Sequence, residues 1–126
     1  MKSTELQERT KRFAVRTLEL IERLPNNTRG RVLANQLARS ATSVGANYRA
    51  ACRARSRAEF ASRLGIVAEE ADESLYWLEL IREGNSVPKT ILLPLLTEAN
   101  ELTAIFTSGR RSAMHPHQTS NIKHQT

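Results

Sequence analysis

The amino-acid sequence predicts an all-α protein, folded as an antiparallel up-down-up-down four-helix bundle. Aromatic residues make up only 5% of the 126 residues, and five Gly and four Pro are few for a chain rich in strands and turns. Apolar residues recur at alternating steps of three and four, which is the spacing of one face of an α-helix. The connections between these segments are short, and short connections favour antiparallel neighbours.

The first helix is predicted over residues 4 to 24. Thr4 and Gln7 have the spacing of a capping box, and Pro25 follows the segment. The apolar residues expected to face the core are Leu6, Phe13, Leu18, Ile21 and Leu24.

The second helix is predicted over residues 28 to 55, beginning at Asn27 or Thr28. Its core stripe is made mostly of small residues, so a neighbouring helix can approach closely. Cys52 lies beside this stripe and is expected to be a buried small hydrophobe. As the single cysteine of the chain, it cannot form an internal disulfide, which predicts a reducing, cytoplasmic location. The face consists of Leu37, Ala41, Val44 and Tyr48, flanked by Ala34, Ala38, Gly45 and Cys52.

The third helix is predicted over residues 57 to 84. Ser56 and Glu59 form a second capping box, and Gly84 with Asn85 ends the helix. Its seam repeats at steps of four and three, as in a helix bundle. The seam residues are Phe60, Leu64, Val67, Ala71, Ser74, Leu78 and Ile81.

The fourth helix is predicted over residues 88 to 108, after a start signal at Ser86. Pro94 is expected to kink this helix or to delay its regular part. Residues 110 to 126 are polar and lack periodicity, which predicts a disordered tail after a single bundle domain at residues 1 to 109. The residues of this segment that repeat the bundle spacing are Leu92, Leu95, Ala99, Leu102 and Phe106.

Large apolar residues also occur outside the seam of the third helix. A single bundle cannot bury this second face, which therefore predicts a contact between subunits. Packing by a neighbouring helix of the same bundle is the alternative. The residues of this expected oligomer interface are Ile66, Tyr76, Trp77 and Leu80.

Four polar residues lie in a line beside the core face of the second helix: Gln36, Ser40, Ser43 and Asn47. Polar groups at such positions are either solvated or hydrogen-bonded. We expect a structural network in which Glu70 or Glu73 of the third helix accepts hydrogen bonds from the hydroxyls and from the amide. A ligand site is the minority interpretation.

The charges are separated along the chain. The net charge is +6 and the pI is about 10.2, which suits a polyanionic partner. Arginines dominate residues 23 to 57, whereas acids crowd residues 59 to 83, so complementary pairing between neighbouring helices is an equally good explanation. The candidate nucleic-acid-binding residues are Arg31, Arg39, Arg49, Arg53, Arg55 and Arg57.

The sequence contains no pattern typical of an enzyme. All three histidines follow residue 114, so the predicted bundle has no imidazole for general base catalysis or metal binding. The acids at residues 69 to 73 spread around their helix and predict a solvated or salt-bridged face. We therefore expect no catalytic residue, metal, cofactor or small-molecule substrate, and neither a signal peptide nor a membrane segment.

Two segments resemble the four-helix-bundle proteins related to the 23S rRNA intervening-sequence proteins. They are QLARSATSVGANYRAACRARSRAEF and IVAEEADESLYWLELI, within a resemblance that covers about residues 10 to 109. Relatives of that family include the accessory variability proteins of diversity-generating retroelements. The resemblance implies a ring, often of five subunits, and a basic surface that meets nucleic acid or a nucleic-acid enzyme. This chain departs from the family pattern at Ala50, where the family usually has Glu, so a family-wide site using that Glu is incomplete here.

Two classes of function follow from these observations. The first is a non-enzymatic ring that presents arginines to RNA or DNA phosphates and reads little sequence, because aromatic stacking groups are scarce. The second is a protein-interaction scaffold or accessory subunit, whose basic helix meets acidic helices and does not contact nucleic acid. The salt dependence of nucleic-acid binding separates the two.

Overall fold

The computed structural model describes residues 1–115, which form four helices and no strand. The helices are α1 (Ser3–Ile21), α2 (Thr28–Cys52), α3 (Arg57–Gly84) and α4 (Lys89–Met114). Each helix packs against the next along the chain, and α4 also contacts α1 over a smaller area. One hydrophobic core receives side chains from all four helices. The all-α prediction is therefore confirmed.

Helix α1 differs from its prediction at both ends. Its N-cap is Lys2, which makes no side-chain capping bond, so the predicted capping box at Thr4 is wrong. The helix ends at Ile21, three residues early, and the N–H groups of Arg23 and Leu24 bond to carbonyls three residues back. Pro25 explains the early end, because the residue before a proline is disfavoured in the helical conformation.

The core stripe of α1 includes two threonines that hydrophobic spacing did not identify. Thr10 and Thr17 are fully buried between Leu6, Phe13 and Leu20. Leu18, which was predicted to face the core, is 41% exposed instead. These threonines are short enough to let α2 approach. A Cβ atom placed on Gly45 would lie only 3.2 Å from the Thr10 hydroxyl oxygen.

The two buried threonines differ in hydrogen bonding, and this difference leads to a stability prediction. Thr10 donates to the carbonyl of Leu6 at 2.9 Å, whereas the Thr17 hydroxyl has no hydrogen-bond partner within the described residues. An unpaired buried polar group costs roughly 1–3 kcal/mol. Thr17→Val keeps the shape, so we expect it to raise the free energy of unfolding by about 1 kcal/mol in urea titrations followed by circular dichroism. Thr10→Val is the matched control and should give no gain; equal gains in both variants would contradict this explanation.

Side-chain caps begin both α2 and α3, at the predicted start of α2 and at the predicted cap residue of α3. Asn27 caps α2 by accepting from the Gly30 N–H at 2.8 Å, and Ser56 caps α3 by accepting from the Glu59 N–H at 3.1 Å. The Glu59 carboxylate accepts from the Arg55 N–H at 2.6 Å, which fixes residues 53–56 outside both helices. Helix α2 therefore ends at Cys52 rather than at residue 55.

Helix α4 is longer than predicted. The chain leaves α3 through Asn85, whose φ of 52° is left-handed, and α4 begins at Lys89 with Pro88 as its N-cap instead of starting at Ser86. Pro94 lies inside the helix. The predicted tail is wrong for residues 110–114, which are helical because buried Ala113 continues the core stripe. The rest of the predicted tail, residues 116–126, lies outside the described residues.

The predicted core agrees closely with the buried residues. The largest fully buried side chains include Phe13, Leu37, Leu78 and Phe106. Phe60 is only partly buried, because it lies in the first turn of α3 at the edge of the core. The residues predicted and found to be buried are Leu37, Val44, Tyr48, Leu64, Val67, Leu78, Leu95, Leu102 and Phe106.

Candidate functional site

The arginine side chains on α2 divide into two groups with different partners. Arg39 lies opposite α3 and forms ion pairs with Glu70, at 3.5 Å, and with Glu73. It directly precedes buried Ser40, and both of its ion pairs lie within the subunit. These ion pairs favour the complementary-charge interpretation for Arg39, and phosphate binding by Arg39 stays an untested prediction.

The carboxylates of Glu70 and Glu73, which pair with Arg39, are also affected by other neighbours. Glu73 also accepts a hydrogen bond from the indole N–H of Trp77 at 3.1 Å. Partial burial raises the pKa of Glu70, while the Arg39 charge opposes that change. Glu70 and Glu73 therefore stabilise the contact between α2 and α3, as the complementary-charge interpretation expects.

Four other arginines surround the end of α2 and the start of α3, and we call them the junction arginines: Arg49, Arg53, Arg55 and Arg57. All four are exposed. Within residues 1–115, none has a carboxylate oxygen within 4 Å of its guanidinium. Arg31, near the other end of α2, is also exposed and donates only to the neutral Asn26 side chain at 3.2 Å. These five guanidinium groups retain an uncompensated positive charge.

The apolar surplus on α3 is split between an exposed and a half-buried part. Ile66 is 40% exposed and Tyr76 is 53% exposed, whereas Trp77 and Leu80 pack partly against the core of their own subunit. The rings of Tyr76 and Trp77 meet edge to face, with centroids 5.1 Å apart. We call these four residues the α3 outer surface. Its exposed part is smaller than the sequence alone indicated.

The polar line on α2 has different hydrogen-bond partners from those expected. Ser43 donates to the carbonyl of Arg39, and the Asn47 amide donates to the carbonyl of Ser43, so both bond within their own helix. No described bond joins Gln36, Ser43 or Asn47 to the carboxylate of Glu70 or Glu73. Buried Ser40 does contact α3, where the hydroxyl of Ser74 donates to it at 2.9 Å.

Ser74 forms this polar contact with Ser40, whereas the sequence had placed Ser74 only in the apolar seam of α3. It is fully buried, and its hydroxyl oxygen also lies 2.9 Å from the carbonyl oxygen of Glu70, so two acceptors share its one proton. Its position three residues after Ala71 in the seam was the available signal. A serine at a core position of one helix requires a polar partner on its neighbour, and Ser40 was already a candidate.

Cys52 is exposed, so the prediction of a buried thiol is wrong. Helix α2 ends at this residue, and the side chain lines an open cleft of about 810 Å³ at the end of the bundle. Burial and a hydrogen bond with Cys52 raise the pKa of the neighbouring Tyr48 hydroxyl. Among residues 1–115 there is no group of three or more metal-binding side chains, in this cleft or elsewhere.

No helix in the described part of the chain is long and apolar enough to cross a membrane. Charged residues interrupt every helix, as the sequence of each shows.

Comparison with known proteins identifies relatives of this fold. A family model for the 23S rRNA-intervening sequence proteins matches residues 2–108. A crystal structure of a protein of unknown function from the S23 ribosomal protein family, from Bacteroides thetaiotaomicron, has 33% sequence identity and a TM-score of 0.78. The match covers 88% of this chain and 99% of that chain. No curated protein matches.

Proposed function

This chain belongs to the family of 23S rRNA-intervening sequence proteins, and we propose that it is a non-enzymatic, ring-forming protein that binds nucleic acid through an arginine-rich surface. The observation that carries the proposal is the unpaired state of the junction arginines within the described residues. Arginine suits phosphate, because its planar guanidinium donates two parallel hydrogen bonds and stays charged at any working pH. The proposed binding surface is Arg31, Arg49, Arg53, Arg55 and Arg57.

We further infer that the helices run antiparallel in up-down-up-down order. Helix α2 has 25 residues and is therefore about 37 Å long. The segment from Cys52 to Arg57 reaches less than about 20 Å even when extended, so α3 has to begin at the end of α2 where α2 stops. The same argument applies to residues 22–27 and 85–88. The contact of Arg9 with Glu98 and Glu101, early in α1 and midway along α4, agrees with this order.

Self-association is expected to strengthen nucleic-acid binding, because each subunit of the assembly adds its own set of arginines. Each subunit presents a small set of arginines, and a ring repeats that set at high effective concentration. A contact between two different surfaces closes into a ring when its rotation is a whole fraction of a turn. We propose that the α3 outer surface provides one side of this contact, and the family resemblance suggests five subunits.

The exposed part of the α3 outer surface gives a direct test of self-association. Ile66→Glu with Tyr76→Glu places two charges in the proposed contact, so we expect the assembly to dissociate to monomers in sedimentation velocity at micromolar concentration. Both side chains are exposed in the subunit, so its fold should persist in circular dichroism. Val15→Glu is the matched control, because Val15 is 53% exposed on α1, and its assembly should remain intact. A parent protein that sediments as a monomer would refute the ring.

The second candidate is a protein-interaction scaffold or accessory subunit without nucleic-acid contact. The ion pairs of Arg39 with Glu70 and Glu73 favour it, because they use basic and acidic faces to join helices. Under this alternative, the junction arginines would meet acidic groups of another subunit or of a partner protein such as a nucleic-acid enzyme.

Binding assays with RNA and DNA probes of unrelated sequence distinguish the two candidate functions. The parent protein is titrated into fluorescently labelled RNA and duplex DNA of several sequences, and anisotropy is recorded at low salt. We expect similar dissociation constants across the sequences, because phosphate contacts carry no sequence information. The scaffold candidate predicts no binding to any of these probes.

A further inference from the structure

A second basic surface lies between α1 and α4, away from the arginines considered above. Arg9, Arg12 and Arg16 lie on one flank of α1, and Arg23, seven residues after Arg16, lies in the turn that follows the helix. The pairing of Arg9 with Glu98 at 2.7 Å shows that this flank faces α4. The heptad repeat of arginine was visible in the sequence but was not connected to any function.

A groove follows this flank because α1 and α4 have the smallest contact of the neighbouring helix pairs. It consists of two adjoining hollows, of about 280 and 330 Å³. Arg16, Pro94 and Leu95 line both hollows, so the groove is continuous past Arg16. Arg12 lines the first hollow and Arg23 lines the second. From Arg12 to the end of the helix at Ile21 the groove extends about 14 Å along α1, and Arg23 lies just beyond that end.

The charges in the groove leave a positive excess. Arg9 is compensated by Glu98, which accepts two hydrogen bonds from its guanidinium at 2.7 and 2.8 Å, and by Glu101, which accepts one at 2.7 Å. Arg12, Arg16 and Arg23 have no carboxylate within 4 Å among the described residues, although Glu19 lines the second hollow. When Arg9 and both of its partners are counted, four guanidinium groups face three carboxylates, which leaves an excess of one positive charge. The side chains of Arg12, Arg16 and Arg23 are all exposed, so the fold of the subunit does not depend on them.

We propose that this groove binds the backbone of single-stranded nucleic acid, as a second site that rests on the nucleic-acid function proposed above. A row of guanidinium groups at helical spacing matches a regularly charged, extended polyanion. The opposite wall is apolar, with Ile91, Pro94 and Leu95, so it can contact sugars and base faces without reading base edges. The two hollows, of about 280 and 330 Å³, are small, so we expect the groove to admit one extended strand and not a duplex.

The test compares a groove variant with a variant of equal charge. Arg12→Gln with Arg16→Gln removes two guanidinium groups from the groove, and Arg82→Gln with Arg111→Gln removes two exposed ones elsewhere. Both proteins and the parent are titrated against an oligo(dT) of about 20 nucleotides and against duplex DNA over a range of salt. Circular dichroism melting confirms that each variant is folded. If the groove double variant does not melt cooperatively, Arg16→Gln alone replaces it.

We expect the groove variant to bind oligo(dT) at least about tenfold more weakly than the control variant. The salt slope for single strands should fall by about 1.4, since each lost phosphate contact removes roughly 0.7. Duplex binding should be the same in both variants. Equal oligo(dT) binding by the groove and control variants would overturn the groove assignment while leaving the junction arginines in place.

Two further outcomes identify what fails. If the parent binds neither probe at low salt, the proposed nucleic-acid function is wrong and the groove site falls with it. If polyglutamate of similar length binds the parent as tightly as oligo(dT) and loses affinity equally in the groove variant, the groove is a site for acidic protein segments, which overturns the nucleic-acid assignment of this groove.

Discussion

Replacing Leu78 with alanine is expected to lower the free energy of unfolding by about 2–4 kcal/mol. Leu78 is fully buried on α3, in the core shared by all four helices. Truncation to alanine removes apolar contacts and leaves a cavity that the surrounding helices fill only in part. Urea titration followed by circular dichroism measures the loss, provided that the parent and the variant have the same m-value.

Leu93→Ala is the matched control for this prediction. Leu93 is 46% exposed on α4, so the same change of side chain should alter the free energy of unfolding by less than about 0.5 kcal/mol. Similar losses at Leu78 and Leu93 would contradict the assignment of the core. Val67→Ala, at another fully buried position on α3, should again be strongly destabilising.

Reversing two junction arginines is expected to have the largest effect on nucleic-acid binding. Arg49→Glu with Arg53→Glu replaces two phosphate ligands with charges that repel phosphate. Hydrogen bonds to charged groups contribute roughly 1.5–3 kcal/mol each, so the dissociation constant for duplex DNA should rise at least about 100-fold. Fluorescence anisotropy measures this change, and sedimentation velocity on the same sample establishes whether the assembly persists.

The control reverses two exposed arginines elsewhere, as Arg82→Glu with Arg111→Glu. It changes the net charge equally, so its weaker effect on binding measures the general electrostatic contribution. If the junction variant loses its assembly and the parent binds no nucleic acid at low salt, the junction arginines serve contacts between subunits. The scaffold candidate then replaces the proposed function.

Periodicity was sufficient to predict most of the core, because a seam of apolar residues at steps of three and four has one favourable arrangement in a bundle. The helix starts with side-chain caps were also predictable, since Asn27 and Ser56 act on residues three positions away. Thr10 and Thr17 were missed because a hydrophobic pattern does not register polar residues in a seam. Thr10 lies against Gly45 of α2, and such a close approach is a property of two helices together.

The candidate site was less predictable than the fold, because the fate of a charge depends on the neighbouring helix. Arg39 and Arg49 have the same residue type and both lie on the outer arc of α2. Only Arg39 lies opposite the carboxylates of Glu70 and Glu73, which are more than 30 positions away in the sequence. The register between α2 and α3 decides which arginine is neutralised, and no local pattern specifies that register.

The end of α4 was also not predictable from the local sequence. Gly109 and the polar residues after it indicated a helix end, yet the helix continues to Met114. A Cβ atom on Gly109 would lie 3.5 Å from a methyl carbon of Leu64, so this glycine lies close to α3. Helical packing on both sides of Gly109, including buried Ala113, outweighs the glycine's weak helix propensity.

The salt dependence of duplex DNA binding by the parent protein tests the central proposal most directly. The logarithm of the binding constant is measured by anisotropy between about 50 and 200 mM salt. Binding through several arginine–phosphate contacts predicts a linear fall against the logarithm of salt concentration, with a slope of roughly −0.9 for each contact and a total of at least several units. The absence of binding at the lowest salt, or binding that does not weaken as salt rises, would contradict the account.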